Sequence, residues 1–338
     1  MVSMNNKLEF NKRHLSTFLV WIMLITFMFG CSKNTQIVLT AGFEDGEIFR
    51  MGDISCYSGE VLCYLANIKN QYSSVFGNQI WSTSQNGIYL EDNVKETVLG
   101  RLVKIKMMKL MASEYGIELS ENERELAQKA AEEYYSSLSK GEIECMDDIT
   151  LQMVSGMYED YVLAEKVYNY VISDVNTEIS DDEARTVIVK QIQFSNVTAA
   201  NEIYNRIVSG ENFEDIYREF SSEADEELYY RKGELPEEME SEIFSLGKGE
   251  CSNVIESEDS YYIVYCVSPN DVSKTDVTKL EIVKERQMQA FEEVYEEFSA
   301  DKECYLNEKL WAETDYDLNN EDGGTSDFFD IYDKYFER

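Results

Sequence analysis

Histidine occurs once in these 338 residues, at His14, and proline twice, at Pro236 and Pro269. Basic residues are also scarce. Lys and Arg number 30 against 66 Asp and Glu, a formal net charge of −36. So acidic a chain repels nucleic acid and anionic lipid surfaces, and no nucleic-acid partner is expected. Solvated helix faces account for the acidic excess; a cavity for basic clients or cations is the sharper alternative. Two prolines leave helices free to run long and exclude Pro-rich linkers. The lone imidazole lies so near the N-terminus that a cleaved leader would remove it. Ser-His-Asp and Cys-His catalysis and histidine-ligated zinc would then all be excluded. The seven cysteines include no CxxC pair, which argues against a zinc knuckle or a thioredoxin-like site. No metal or cofactor is expected. The length suits two domains, and an apolar content of 43% suffices for packed cores.

Lys7, Lys12 and Arg13 precede an apolar run from Phe18 to Phe29, followed by Gly30 and Cys31. A positive start, a twelve-residue apolar core and a small residue before the cut mark a secretory signal over 1–30. A comfortable membrane span needs about 20 residues. The segment Met28-Phe-Gly-Cys31 resembles a bacterial lipobox, with loose matches at Met28 and Phe29; an ordinary signal peptide and an uncleaved anchor stay open. The resemblance makes Cys31 the lipidated first residue of an extracytoplasmic chain, attached to the cell membrane by two or more acyl chains. Export leaves open any pairing among Cys56, Cys63, Cys145, Cys251, Cys266 and Cys304. Placed on one helix, Cys56 and Cys63 would lie about 10 Å apart, too far to bridge.

Residues 31–57 read as a tether ending in a short strand or hairpin. A helical module follows over 58–179. Val61, Leu65, Ile68, Tyr72 and Val75 recur at helical spacing from Ser58 to Phe76, where Gly77 stops them. A second helix, 91–115, carries Val94, Val98, Leu102, Ile105 and Met108 and is closed by Gly116. Ser120-Glu-Asn-Glu123 reads as a capping box for a third helix ending near Gly141. A fourth runs over 147–173, and Ser180-Asp-Asp-Glu183 is a second capping box, at a hinge. The Met and Tyr faces read mostly as core, with a client-binding surface as the alternative. Helix order and Val94-Lys-Glu-Thr-Val-Leu99 are similar to the N-terminal module of the SurA/PrsA group of extracytoplasmic foldases.

Over 180–269 an apolar strand at 187–194 is followed by a helix pattern at 198–209, closed by Gly210. Then come Glu211-Asn-Phe-Glu-Asp-Ile-Tyr-Arg-Glu-Phe-Ser221, Gly233-Glu-Leu-Pro-Glu-Glu-Met239, Ile243-Phe-Ser-Leu-Gly-Lys-Gly-Glu-Cys-Ser-Asn-Val-Ile255 and Tyr261-Tyr-Ile-Val-Tyr-Cys-Val267. This succession resembles the parvulin-type peptidyl-prolyl isomerase domain. The resemblance implies an antiparallel sheet with helices, and an activity that lowers an amide barrier of about 18–20 kcal/mol by binding and twisting an X-Pro bond. It places the family's two histidines on Gln191 and Tyr262, and its proline pocket on Leu235 and Met239, with Phe244 and Leu246 beside it. The family's glycine-rich loop is reduced to Leu228-Tyr-Tyr-Arg-Lys-Gly233. With both histidines missing, the domain has either lost much of its catalysis or relies on Gln191 and Tyr262 as a hydrogen-bonding pair.

A long amphipathic helix over 275–307, with Leu280, Val283, Phe291, Val294 and Phe298, dominates 270–311. The foldase resemblance implies that it packs back on the helical module, making the parvulin-like domain an insertion. Residues 312–338, rich in acid with scattered Tyr and Phe, read as a flexible tail, with occupation of the protein's own client groove as a minor alternative. The fold expected is α+β. The function expected is a lipid-anchored foldase for unfolded or nascent secreted polypeptides. A histidine-free isomerase is one alternative. A small-solute-binding lipoprotein is the other, although no repeat of two similar lobes is visible.

Overall fold

The computed structural model describes residues 36–39, 42–220, 227–316 and 324–336. The leader and Cys31 therefore lie outside the described residues. The chain divides into two compact units, one of residues 1–173 and 290–338, the other of 174–289. Among the described residues no helix is long and apolar enough to cross a membrane.

The first unit opens with strand β1 (Gln36–Leu39) and a hairpin of β2 (Glu47–Met51) and β3 (Ile54–Tyr57). Helix α1 (Ser58–Phe76) follows, then a two-strand ribbon, β4 (Ser84–Gln85) and β5 (Ile88–Tyr89), and helix α2 (Leu90–Tyr115). Gly116 ends α2 with φ 67, a left-handed conformation that costs glycine little. Helix α3 (Glu121–Ser137) starts at the expected box: Ser120 Oγ accepts from Glu123 N at 3.3 Å, and Ser120 N donates to Glu123 Oε2 at 2.7 Å. Lys166 also holds the Glu123 carboxylate. Burial would raise the Glu123 pKa, but Lys166 and Ser120 outweigh it and hold it below the usual range. Ser120→Ala is expected to cost about 1 kcal/mol in urea unfolding; no measurable loss would mean that Glu123 and Lys166 secure this end without the hydroxyl.

Three boundaries differ from the sequence reading. Gly141 does not end α3. It lies inside a short helix, α4 (Lys140–Cys145), which Ser139 and Glu142 cap reciprocally. Helix α5 (Leu151–Ile172) begins after Thr150, whose hydroxyl accepts from Met153 N, because Asp147 and Asp148 sit at positive φ. Ser180 does cap Glu183 N, yet only one turn forms, since Thr186 already enters a strand.

In the second unit, strand β6 (Thr186–Phe194) leads to α6 (Val197–Val208), capped by Asn196, and α7 (Phe213–Phe220). Strand β7 (Leu228–Arg231), helix α8 (Glu237–Ser245) and strands β8 (Ile255–Ser257) and β9 (Ser260–Ser268) complete it. The sheet is antiparallel in the order β7-β6-β9-β8. Alternation along β6 gives it two apolar faces. Val187 and Val189 pack with Met239, Ile243 and Leu246 from the α8 side. Ile192 and Phe194 pack with Ala200 and Ile203 of α6 and Phe213 and Ile216 of α7.

Helix α9 (Val272–Ser299) contains the boundary between the units. It stops short of the expected 275–307, because β10 (Glu303–Leu306) pairs parallel with β1 and antiparallel with β2, bridging two strand edges. Helices α10 (Glu308–Glu313) and α11 (Phe328–Phe336) follow. Over 312–316 and 324–336 the expected flexible tail is thus corrected; its other residues lie outside those described. Tyr316, Phe328, Ile331 and Tyr332 are buried in the first unit's core, where aromatic area outweighs the acidic composition. Cys56, Cys63, Cys251, Cys266 and Cys304 are free thiols, and Cys56 lies in β3 rather than on a helix with Cys63.

Candidate functional site

The residues singled out in the second unit converge on the α8 face of its sheet. Alternation places Gln191 on the side of Val187 and Val189. Gln191 pairs with Val264 and Gln193 with Tyr262, so Gln191 and Tyr262 are diagonal neighbours on adjacent strands. Tyr262, Leu235 and Phe244 are half-buried and pack on the same cluster as buried Met239, Ile243, Leu246, Ile255 and Val264. Met239 and Ile243, four apart on α8, form the floor; Leu235, in the turn before α8, and Phe244 lie at its rim. Arg185 fixes that rim, donating to Phe244 O at 3.1 Å with its guanidinium 5.0 Å from the Phe244 ring centre.

One member of the site was missed in sequence. Leu228–Arg231, aligned there with a loop, is strand β7, and Tyr230 Oη donates to Gln191 Oε1 at 3.0 Å. Burial holds the Tyr230 phenol above its ordinary range; the bond to Gln191 opposes this, and Tyr262 and Glu234 add to it. Tyr230 is therefore a neutral donor at physiological pH, and Gln191 is oriented as its acceptor. The alternation Leu228, Tyr230 beside a strand edge was the available signal. Cys266, in the same cluster, has its thiol pushed up by burial and by Glu250, which makes it unreactive. The arrangement offers a hydrogen-bonding group, Gln191, with a phenol, Tyr262, beside an apolar bed. It can hold and polarise an amide.

A cavity of about 380 Å³ in this unit lies elsewhere, lined by Glu183, Arg231, Lys232, Gly233, Glu234, Ile282 and Glu285. Arg231 bonds Glu234 and Glu285 there, so its charges are internally paired. Among the described residues no cluster of three or more His, Cys, Asp or Glu could hold a metal ion.

Comparison with known proteins finds a family match within the second unit. Residues 191–268 match the family described as Rotamase: PPIC-type PPIASE domain. A foldase protein PrsA of Caldanaerobacter subterraneus is 23% identical, aligned over 85% of this chain and 94% of its own length. Among solved structures, a peptidylprolyl isomerase (PrsA) of Bacillus cereus aligns with 89% of this chain and 99% of its own, at 16% identity and a TM-score of 0.38. A SurA-like chaperone structure from Campylobacter jejuni aligns with 77% of this chain and 98% of its own, at 11% identity and a TM-score of 0.29. Residues 191–268 are a PPIC-type rotamase domain, carried by a chain similar over most of its length to a PrsA foldase.

Proposed function

We propose that the chain is a lipid-anchored extracytoplasmic foldase for unfolded secreted polypeptides, with a rotamase domain that binds X-Pro segments and catalyses their isomerisation weakly or not at all. The observation that carries this reading is the pair Gln191 and Tyr262, diagonal neighbours over the α8 cluster, at the positions where parvulins place histidines. The apolar bed of Leu235, Met239 and Phe244 supports peptide binding. The chain's one histidine, His14, lies in the proposed leader. Export through residues 1–30 and acylation of Cys31 would place the protein on the outer face of the cell membrane. Cys31→Ser is expected to release it into the medium, and continued membrane retention of that variant would sink the anchor.

A second reading is favoured by one specific contact. The Tyr230 hydrogen bond orients Gln191, as a histidine-free isomerase would require. The two readings separate in one assay. Cis-to-trans exchange of a short X-Pro peptide should run at its uncatalysed rate in the presence of the folded chain from residue 32 onward. Exchange well above that rate, scaling with protein and lost in Leu235→Ala/Met239→Ala, would establish the histidine-free isomerase instead. In both cases the protein should suppress aggregation of a reduced, unfolded client; no suppression at equimolar protein would remove the foldase reading.

A further inference from the structure

In the first unit, the segment 324–336 is held in the manner of a bound peptide. The side chains of the surrounding helices grip its main chain as well as its side chains. Asn67 Oδ1 of α1 accepts from Phe328 N at 3.0 Å, and Tyr158 Oη of α5 donates to Phe328 O at 2.9 Å. Three residues earlier, Glu142 Oε1 accepts from Thr325 N at 2.6 Å, and Asn70 Nδ2 donates to Thr325 O at 2.8 Å. Both polar groups of two residues are thus satisfied by side chains from elsewhere in the fold. Such main-chain recognition tolerates many sequences.

The side-chain seat selects aromatics. Phe328, 1% exposed, stacks on Tyr158 at 4.3 Å and 7°, and meets Tyr134 edge-on at 5.2 Å and Tyr64 at 5.5 Å. The next ring, Phe329, lies 4.4 Å from the Arg101 guanidinium and edge-on to Tyr64. The walls of the cradle also bond one another. Asn67, itself buried, donates to Tyr134 Oη at 2.6 Å and to Cys63 O at 2.8 Å, which aims its carbonyl at the incoming N–H. The segment fits imperfectly, however. Asp327 Oδ1 is buried without a hydrogen-bond partner. Burial, with Asp330, Glu133 and Glu142 nearby, pushes the Asp327 carboxyl up, an unfavourable term that release would relieve.

We propose that the cradle of Tyr64, Asn67, Arg101, Tyr134 and Tyr158 is a binding site for unfolded polypeptide segments bearing two adjacent aromatic residues, and that residues 324–336 occupy it as an exchangeable self-ligand. Clients compete with this segment, so the resting protein is held partly closed. This rests on the client-binding reading above only in naming unfolded chains as the competitors; occupation of the cradle is tested without them.

The test uses the full chain and a fluorescent peptide with the sequence of residues 324–336. Phe328→Ala/Phe329→Ala empties the cradle and leaves its walls intact. The peptide is expected to bind this variant at least roughly tenfold more tightly than the native chain, the ratio for a seat about nine-tenths occupied. A peptide with both phenylalanines replaced by alanine should stay at background. Adding Tyr158→Phe, which removes one donor, should weaken binding several-fold. Equal, weak binding to a folded variant and to the native chain would overturn the proposal. So would unfolding of the variant, since Phe328 would then be integral core. On the native chain, hydrogen exchange should show the amides of 328–336 opening more readily than those of α5; exchange in step with α5 would overturn it as well. Peptide binding without suppression of client aggregation would leave the self-ligand standing and remove only the foldase reading.

Discussion

Lys106→Met is expected to cost the helical unit about 3–5 kcal/mol, because it would strand two carboxylates inside the fold. Lys106 Nζ lies 2.6 Å from Glu60 Oε2 and 2.8 Å from Asp160 Oδ2, and all three residues are buried. Each comes from a different helix, α2, α1 and α5, so the cluster ties three helices by charge as well as by apolar packing. Lys109, more exposed, holds the second oxygen of Asp160 at 2.5 Å. Burial alone would lower the Lys106 pKa; the Glu60 and Asp160 carboxylates outweigh it and raise it above the ordinary lysine range. A base with a raised folded pKa contributes stability that is fully present below its unfolded value and lost only as pH climbs through the folded one. Both values lie far above neutrality, so Lys106 itself contributes no pH dependence between about pH 6 and about pH 8. Urea unfolding followed by circular dichroism measures the deficit of Lys106→Met. Neutralising the partners in the same chain, with Glu60→Gln and Asp160→Asn, should recover much of the loss. A deficit below about 1 kcal/mol would show that water reaches the cluster and that it is not a buried network.

That cluster left no trace in the sequence, where Glu60, Lys106 and Asp160 are some fifty positions apart and share no spacing. The helices carrying them were readable. Val61 and Leu65 of α1, and Val98, Leu102 and Ile105 of α2, keep a 3.6-residue period and face the core. The apolar strand at 187–194 was readable too, as β6. What failed was local pattern overruled by composition or by alignment. Phe328, Ile331, Tyr332 and Tyr335 recur at helical spacing, but the surrounding acid disguised a docked helix as a tail. Glu303–Leu306 is a four-residue strand whose partners, β1 and β2, lie over 250 residues earlier, so the helical period before it seemed to run on. Tyr230 was hidden by matching Leu228–Arg231 to a loop when its own alternation indicated a strand. In each case a long-range partner, invisible in a local window, decided the outcome.

Phe291→Ala should be comparably damaging, at about 3–5 kcal/mol, although it lies on the same helix as a residue whose loss should be almost silent. Phe291 is fully buried. It packs against Tyr168 of α5 at 5.1 Å and stacks with Tyr295 at 5.9 Å. The Lys104 ammonium lies 5.1 Å from the Phe291 ring centre and 5.0 Å from that of Tyr295, and pairs with Glu292. Burial lowers the Lys104 pKa, with Glu292 acting against it, so the cation depends on its neighbours to stay charged where it is. Removing the ring leaves a cavity in the helical unit's core and strips one face from that cation. Leu280, three turns earlier on α9, is 65% exposed, and Leu280→Ala should stay within about 0.5 kcal/mol of the native chain. The contrast follows from where the unit boundary falls, between residues 289 and 290: the apolar positions of α9 have a core to enter only after it. Phe291→Ala should therefore lower the urea midpoint of the helical unit, while residues 174–289 retain their own transition. Similar costs for the two substitutions, or a Phe291→Ala deficit below about 1 kcal/mol, would mean that the end of α9 is not what fastens the chain's return into the helical core.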